Sequence, residues 1–264
     1  MSQVADEPAK TRARRESRLV LGMRVDAPTV EGAAAQIIEW ATERSPRMIC
    51  AANVHMTMEA HDDALFQSQI NGADLVLPDG VPLVWALRML GLSRAARVRV
   101  SPDFVIELMV RAEHRGVKLG LYGGTRETLT IFRQCVGRDI PDLTVDYTYA
   151  PPFRPLDRDE DEAVVREIRA SGTQLLLVGI GCPKQEGWMA AHRGRLPCVM
   201  MGVGTAFDLF GGKTREAPLW MQNLGFEWAF RLLLEPRRLW RRHLKHNPRF
   251  IFLFARQLLA SRKA

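Results

Sequence analysis

The chain has 264 residues, of which 47% are hydrophobic and 25% are charged. These values are ordinary for a globular protein and allow one large domain or one domain with an appendage. Four widely spaced cysteines without a C-x-x-C pair argue against a disulfide framework or a cysteine-based zinc site, and predict reduced thiols in a cytosolic protein. The charged segment 1–18 lacks the apolar core of a secretory signal and is predicted to be a disordered leader. The most apolar later run, 250–254, is too short to cross a bilayer.

The excess of positive charge lies in the last fifth of the chain. Residues 213–264 hold twelve Lys and Arg against three acidic residues, whereas the remaining residues hold 25 against 27. A basic segment confined in this way indicates a polyanionic partner, which could be a set of phosphates, an anionic lipid surface or nucleic acid.

Short apolar runs alternate with amphipathic stretches through the first 212 residues, a pattern typical of a parallel α/β sheet. Strands are predicted at 19–25, 48–52, 74–77, 117–122, 144–149, 174–179 and 199–202. Helices are predicted at 29–44, 62–71, 81–90, 102–115, from 126, and at 157–171. After about residue 212 only helical segments rich in Arg and Trp follow, at 218–224, 227–234, 236–244 and 248–259. The sequence therefore predicts an α/β core at 19–212 and a basic helical appendage at 213–264.

Candidate ligand-binding residues follow the predicted strands, because parallel sheets bind ligands at the carboxyl ends of their strands. These candidates are Asn53, Asp79, and the segments 123–125, 179–186 and 202–208. The segment 175–188 is the most informative, since a buried strand leads into a Gly-x-Gly turn and a polar helix start, which together favour an anion site. Turns between strands and helices also favour glycine for structural reasons alone. Five such turns together favour a nucleotide cleft.

Asp79 lies in the tripeptide Pro78-Asp79-Gly80. A tight turn alone would explain these three residues, whereas a carboxylate at the edge of a cleft can also act as a general base.

Asp157-Arg158-Asp159 matches the Asp-x-Asp pattern of metal-dependent sugar transferases. It also begins an acidic helix, where negative side chains meet the helix dipole favourably, and this structural interpretation is preferred. The six histidines show no metal-binding spacing beyond His243 and His246, which lie among arginines. The sequence therefore predicts no essential metal and no cofactor.

The appendage prefers arginine to lysine, by six to one across 227–249. Because the planar fork of Arg binds phosphate oxygens bidentately, this preference favours a diphosphate or a lipid headgroup as partner. The interleaved aromatics suit an amphipathic surface at a membrane interface, although about half of them could instead pack the appendage onto the core. These aromatics are Trp228, Trp240, Phe250, Phe252 and Phe254.

Taken together, these motifs resemble the WecG/TagA/CpsF glycosyltransferases. The resemblance covers residue 19 to the C-terminus in the same order and rests on Asn53, 73–80, 179–186, 202–208, Ala217-Pro218 and the segment 227–242. It implies a Rossmann-like core, a UDP-sugar donor, a polyprenyl-diphosphate-linked sugar acceptor, inversion at the anomeric carbon and no obligatory metal. It also implies an appendage that closes the site at the membrane. The expected role is exopolysaccharide biosynthesis for the cell envelope, by a protein bound peripherally to the cytoplasmic face of the plasma membrane.

The resemblance also assigns roles by position. Asp79 falls on the proposed base, Asn53 on a sugar-contacting position and Gln185 on a donor-site residue. An arginine that aids the leaving diphosphate aligns with Arg97, with Arg99 as an equal candidate. The appendage arginines that match those thought to meet diphosphate are Arg231, Arg237, Arg238 and Arg241. Further substrate-binding candidates in or beside these motifs are Asp103, Gly123, Gly181, Lys184, Glu186 and Asp208.

Two positions depart from the pattern of the family. Ala51 stands where threonine is common, and Ser101 stands near a usual glycine. Both bear on the donor sugar, so N-acetylmannosamine, its uronic acid and glucose all stay open.

Two other classes of function also stay open at this point. An NAD-dependent oxidoreductase would use a similar sheet, but no Gly-x-Gly-x-x-Gly follows the first strand, and the turn at 179–181 lacks the third glycine. A nucleic-acid-binding protein would use the basic tail. The resemblance instead implies a UDP-sugar, a lipid-linked acceptor and an anionic membrane surface as partners, without nucleic acid. The oligomeric state, a homo-oligomer included, is left open.

Overall fold

A central parallel sheet organises the core. The computed structural model describes residues 16–204, 206–210 and 216–261. Its strands are β1 (Ser17–Val20), β2 (Met23–Asp26), β3 (Arg47–Ala52), β4 (Leu75–Pro78), β5 (Leu119–Gly123), β6 (Val145–Tyr149), β7 (Leu175–Gly179) and β8 (Val199–Gly202). The last six form one sheet in the order β4-β3-β8-β7-β5-β6, with every neighbouring pair parallel. The predicted α/β fold is confirmed.

Helices cover both faces of this sheet. They are α1 (Val30–Thr42), α2 (Val54–Asp62), α3 (Ala64–Asn71), α4 (Val81–Met89), α5 (Pro102–His114), α6 (Arg126–Asp139), α7 (Arg158–Ser171), α8 (Lys184–His192), α9 (Ala206–Phe210), α10 (Leu219–Asn223), α11 (Glu227–Leu234) and α12 (Pro236–Ser261). Helices α1, α5, α6 and α9 pack on one face, and α2, α3, α4, α7, α8 and α12 on the other. Successive residues of β7 point into the two cores in turn, which explains its continuous apolar sequence.

The chain leaves β5 and β7 in opposite directions. It enters α6 on one face after β5, and α8 on the other face after β7. Such a switch point leaves a crevice at the carboxyl ends of the two strands, where open α/β sheets bind ligands. The strands approach closely there, since a Cβ on Gly123 would lie 2.3 Å from the carbonyl oxygen of Gly179. Gly123 is therefore required for packing at the crevice.

The predicted strand at 19–25 is wrong as a single strand. It is a hairpin in which β1 pairs with β2 and Val20 lies opposite Met23. Leu21 and Gly22, with φ of 52° and 86°, make the turn. Positive φ at both central residues matches the twist of a two-residue hairpin. The apolar Leu21 hides this turn in the sequence. β1 also begins at Ser17, inside the predicted leader, while residues 1–15 lie outside the described part of the chain.

The prediction near 62–71 found α3 but missed α2. Asn53 begins α2, because its side chain accepts a hydrogen bond from the Met56 backbone N–H. The sequence interpretation treated Asn53 as a ligand candidate and did not recognise it as a helix cap.

The two helices predicted at 236–244 and 248–259 are one helix, α12, which continues through Pro248. Proline removes the hydrogen bond to the carbonyl of Leu244. Leu244 is exposed, so water can satisfy that carbonyl and the helix continues.

Helix α12 is docked onto the core. Phe250 and Phe254 are buried in the same apolar cluster as α2. Arg249 donates two hydrogen bonds of 2.7 and 2.8 Å to the Asp62 carboxylate, and these bonds lower the pKa of Asp62. Among the described helices, none combines the length and apolar character that a membrane span requires.

Candidate functional site

A cleft of about 1740 Å³ lies at the carboxyl edge of the sheet. The ends of five strands line it, through Ala51 and Asn53 at the end of β3, Asp79 and Gly80 after β4, Gly124 and Thr125 after β5, residues 179–182, 184 and 185 at the end of β7, and Val203 and Gly204 after β8. Residues of α11 and α12 line it as well. The structure therefore brings the five predicted strand ends into one cleft and adds a wall from the appendage.

Asp79 lies half-buried in this cleft. Its Oδ1 accepts a hydrogen bond of 2.8 Å from the Val100 backbone N–H, and its Oδ2 has no partner among the residues that the structure describes. Burial raises the pKa of the Asp79 carboxyl above its ordinary value, while Arg97 and the Val100 N–H oppose the rise. One oxygen holds the carboxyl in place, and the other can receive a proton from a ligand.

Arg97 and Arg99 lie between α4 and α5 and meet Glu227 at the start of α11. Arg97 donates through Nη2 and Arg99 through Nε, the latter over 2.9 Å, to the two carboxylate oxygens of Glu227. Arg97 also donates from Nε to the Asp79 carbonyl oxygen and from Nη1 to the Gln222 carbonyl oxygen at 3.3 Å. The three charged side chains are only 18–19% exposed. Glu227 thus joins the appendage to two core arginines beside Asp79.

Among the described residues, five further cationic side chains line the cleft, those of Arg154, Arg158, Lys184, Arg195 and Arg231. The side chain of Arg231, one turn after Glu227, makes no hydrogen bond or ion pair within the described ranges, and it is close enough to Asp79 to lower the pKa of that carboxyl. Lys184 lies exposed at the start of α8. Cations gathered in a cleft favour an anionic ligand, and guanidinium groups favour phosphate oxygens in particular.

Gln185 and Glu186 occupy the first turn of α8, and both are buried. Gln185 lines the cleft and donates from Nε2 to Glu186, while its Oε1 is buried and has no hydrogen-bond partner among the residues that the structure describes. Burial raises the pKa of Glu186. A Cβ on Gly202 would lie 2.7 Å from the Gln185 Nε2, so Gly202 makes room for this side chain. The unpaired Oε1 can accept an N–H or O–H from a ligand.

Asn53 and Gly80 bring the ends of β3 and β4 together. A Cβ on Gly80 would lie 3.3 Å from the Asn53 Cα and Cβ. Asn53 uses Oδ1 to cap α2, at 3.1 Å from the Met56 backbone nitrogen. Its amide nitrogen has no hydrogen-bond partner in the described part of the chain, so it can donate to a ligand in the cleft.

Comparison with known proteins identifies the family. The model described as "Glycosyl transferase WecG/TagA/CpsF family" matches residues 18–264. The chain belongs to the WecG/TagA/CpsF glycosyltransferase family. It is 28% identical over 216 residues to a protein of Bacillus spizizenii named N-acetylglucosaminyldiphosphoundecaprenol N-acetyl-beta-D-mannosaminyltransferase, and the match covers 81% of each chain. The oxidoreductase and nucleic-acid-binding alternatives are therefore not favoured.

Several residues that the WecG/TagA/CpsF resemblance or the strand-end pattern singled out do meet in the cleft. They are Asn53, Asp79, Arg97, Arg99, Gly181, Lys184, Gln185 and Arg231. Asp157 also lines the cleft, and it forms a capping box with Glu160 at the start of α7. The interpretation of Asp157-Arg158-Asp159 as a helix start is confirmed.

Other predicted binding residues of this family member are not brought to the cleft. Asp103 is exposed in the first turn of α5, and Arg237 and Arg241 are exposed on α12. Glu186 is fully buried, and Gly123 lies at the close approach of β5 and β7. Motif position shows that a residue is near a site but does not show which way its side chain points. The side chains of Asp208 and Arg238 lie outside the described part of the chain.

Glu227 was quoted in the appendage motif but was not predicted as a site residue. The signal was available, because an acidic residue at the start of a basic helical segment needs a cationic partner if it is buried. Its partners are 128 and 130 residues earlier in the chain, so local sequence could not identify them.

Proposed function

We propose that the chain is an inverting glycosyltransferase that transfers a sugar from a UDP-sugar to a sugar linked to a polyprenyl diphosphate. The observation that carries this proposal is the position of the Asp79 carboxylate in one cleft with Arg97, Arg99 and Arg231. Only one of its two oxygens has a hydrogen-bond partner among the described residues. Direct displacement of a diphosphate requires both kinds of group, a base for the attacking hydroxyl and cations for the leaving group.

In the proposed reaction, Oδ2 of Asp79 takes the proton of the acceptor hydroxyl. The hydroxyl oxygen attacks the anomeric carbon on the face opposite UDP, and the bond from that carbon to the diphosphate oxygen breaks. UDP leaves with the electron pair as an anion, and the cationic side chains of Arg97, Arg99 and Arg231 stabilise its developing charge. No step of this scheme requires a metal ion.

For the donor, N-acetylmannosamine is the sugar we favour, because the Bacillus relative is named for its transfer. The uronic acid of N-acetylmannosamine and glucose are the alternatives. The unpaired Gln185 Oε1 and the Asn53 amide suit a ligand rich in N–H and O–H groups. Ala51 lines the cleft beside Asn53, so the hydroxyl of a threonine is missing at that point.

For the acceptor, we favour a lipid-diphosphate-linked N-acetylglucosamine, again from the name of the relative. The cleft has an apolar side that suits a lipid, formed by Trp85, Met89, Ile251, Ala255 and Leu258. The appendage also exposes large aromatic side chains, Trp220, Trp228, Trp240 and Phe252. Together with its basic residues, these support peripheral binding to the cytoplasmic face of an anionic membrane.

Replacing Asp79 tests the proposed base. Asp79→Asn retains the oxygen that accepts from Val100 but cannot take a proton, so turnover is expected to fall about 10²–10⁴-fold with UDP affinity near normal. The raised pKa means that ionised Asp79 disfavours the folded state once the pH exceeds its unfolded value of about 3.9. At neutral pH the Tm of Asp79→Asn should therefore not fall.

Asp103→Asn is the matched control, because Asp103 is exposed outside the cleft. We expect its rate to equal that of the wild type. Steady-state assays of UDP release and a UDP titration measure both variants, and near-wild-type turnover in Asp79→Asn would contradict the assignment of the base.

A further inference from the structure

A cluster of two histidines and a glutamate joins α2 to α12. His55 and Glu59 lie one turn apart on α2, and His246 lies on α12. The Glu59 Oε1 is 3.6 Å from the His55 Nδ1 and 3.3 Å from the His246 Nε2. One donor atom from each of the three residues lies within 4.8 Å of the other two. None of these residues has a part in the reaction proposed above.

The spacing of these atoms suits a tetrahedral ion. Zinc binds imidazole nitrogen and carboxylate oxygen at about 2.0–2.2 Å, so two ligand atoms of a tetrahedral site are about 3.3–3.6 Å apart. Both measured distances to Glu59 fall in this range. One ring nitrogen of each histidine lies within 4.8 Å of the other, which is longer than the spacing in a tetrahedral site, so binding an ion would draw these two nitrogens closer together.

The surroundings favour a bound ion over a surface ion pair. The side chains of His246, His55 and Glu59 are 4%, 18% and 32% exposed, so the two imidazoles are mostly shielded from bulk water while the carboxylate is partly open to it. Both histidines line the cleft, which leaves a fourth coordination position for water or an anionic oxygen. Nitrogen and carboxylate ligands together select zinc-like ions over Mg²⁺, which prefers oxygen alone.

We propose that His55, Glu59 and His246 bind a divalent transition-metal ion of the zinc class, which fastens the appendage to the core. The site does not depend on the proposed transfer reaction, and the ion is separate from the chemistry at Asp79. Because His246 belongs to α12 and the other two ligands to α2, the ion would stabilise the docked position of the appendage.

Isothermal titration of Zn²⁺ into the tag-free, EDTA-treated full chain tests the site. We expect one ion per chain, no binding of Mg²⁺, and an affinity at least tenfold weaker in Glu59→Gln and in His246→Ala. His61→Ala is the control, because His61 lies exposed in the last turn of the same helix, and its affinity should match the wild type. Absence of saturable binding, or equal binding by wild type and both cluster variants, would overturn the proposal.

Two more measurements separate loss of the site from loss of the fold. Glu59→Gln keeps the size of the side chain, and its circular dichroism in EDTA should equal that of the wild type. Zn²⁺ should slow proteolytic release of the appendage in wild type but not in Glu59→Gln. Bound Co²⁺ should give the visible spectrum of a tetrahedral site in the wild type alone. A cobalt spectrum unchanged by Glu59→Gln would also contradict the assignment.

Discussion

Two opposing influences act on Asp79. Removal from water disfavours its charge, while Arg97, the Val100 N–H and Arg231 favour it. The balance leaves the pKa of this carboxyl above its ordinary value, which brings a base closer to the pH at which it must work. Arg97 and Arg99 are positioned by ion pairs with Glu227, which binds both guanidinium groups beside the Asp79 carboxyl.

The raised pKa of Asp79 predicts the pH dependence of the rate. A base must be ionised, so kcat/KM should fall as the pH drops through the raised pKa, above the value of about 3.9 of an ordinary aspartate. The pH profile of UDP release, with folding checked at each pH, measures this limb. A limb at or below the ordinary value, or the same limb in Asp79→Asn, would contradict the role of Asp79.

Glu227 is expected to position the two arginines. Glu227→Gln keeps one acceptor oxygen and loses the charge, so at least one arginine is released. Losing a charged hydrogen bond costs about 1.5–3 kcal/mol, and kcat/KM should fall about 10–100-fold. Glu216→Gln is the control, since Glu216 meets Arg99 only over 3.6 Å and is more exposed. Equal kcat/KM values in Glu227→Gln and Glu216→Gln would contradict the positioning role of Glu227.

Sequence reasoning located some residues of the site better than others. Asn53 and Asp79 follow strands, and the geometry of parallel sheets places every such residue at one edge. The strand-end pattern did not distinguish Gln185 from Glu186, because they are neighbours on one helix turn, and only the family resemblance singled out Gln185. Packing against Gly202 places Gln185 at the cleft, while Glu186 is buried beside it. Contacts of this kind are distant in the chain and leave no local signal.

At the scale of elements, the strands and most helices follow from hydrophobic pattern and turn residues. The failures have local physical causes. The hairpin turn was predicted as continuous strand because it contains the apolar Leu21. Pro248 was predicted to separate two helices, although the exposed face of α12 tolerates a proline. The sequence predicted that about half of the appendage aromatics could pack on the core. Phe250 and Phe254 are buried there, whereas Trp228, Trp240 and Phe252 are exposed.

This division predicts a contrast between two neighbouring phenylalanines of α12. Phe250 is 5% exposed, so Phe250→Ala should destabilise the docked helix by about 3–5 kcal/mol. Phe252 is 63% exposed, and Phe252→Ala should change stability by less than about 0.5 kcal/mol. Urea unfolding and limited proteolysis of the appendage measure both. Similar losses in the two variants would mean that α12 is not docked through this face.

At the scale of the whole molecule, the excess positive charge and most of the exposed large hydrophobic side chains of the described residues belong to the appendage. Residues 1–212 are close to electrically balanced, whereas the segment from 213 onward carries the positive excess. The same appendage supplies Arg231 and Glu227 to the cleft and presents its exposed aromatics outward. Under the proposed function, the appendage would both contact the membrane and complete the site, as an acceptor whose lipid stays in the bilayer requires. The donor sugar depends on contacts that neither motif nor fold specifies.

The most direct test of the proposed transfer is an assay of UDP release. A panel of UDP-sugars is supplied with a short-chain lipid-diphosphate-linked N-acetylglucosamine as acceptor. UDP-N-acetylmannosamine should give acceptor-dependent turnover, and NMR of the product should show an inverted anomeric configuration. Turnover with the uronic acid or glucose donor would correct the sugar and keep the reaction. No acceptor-dependent release from any UDP-sugar, or a product that retains configuration, would contradict the account.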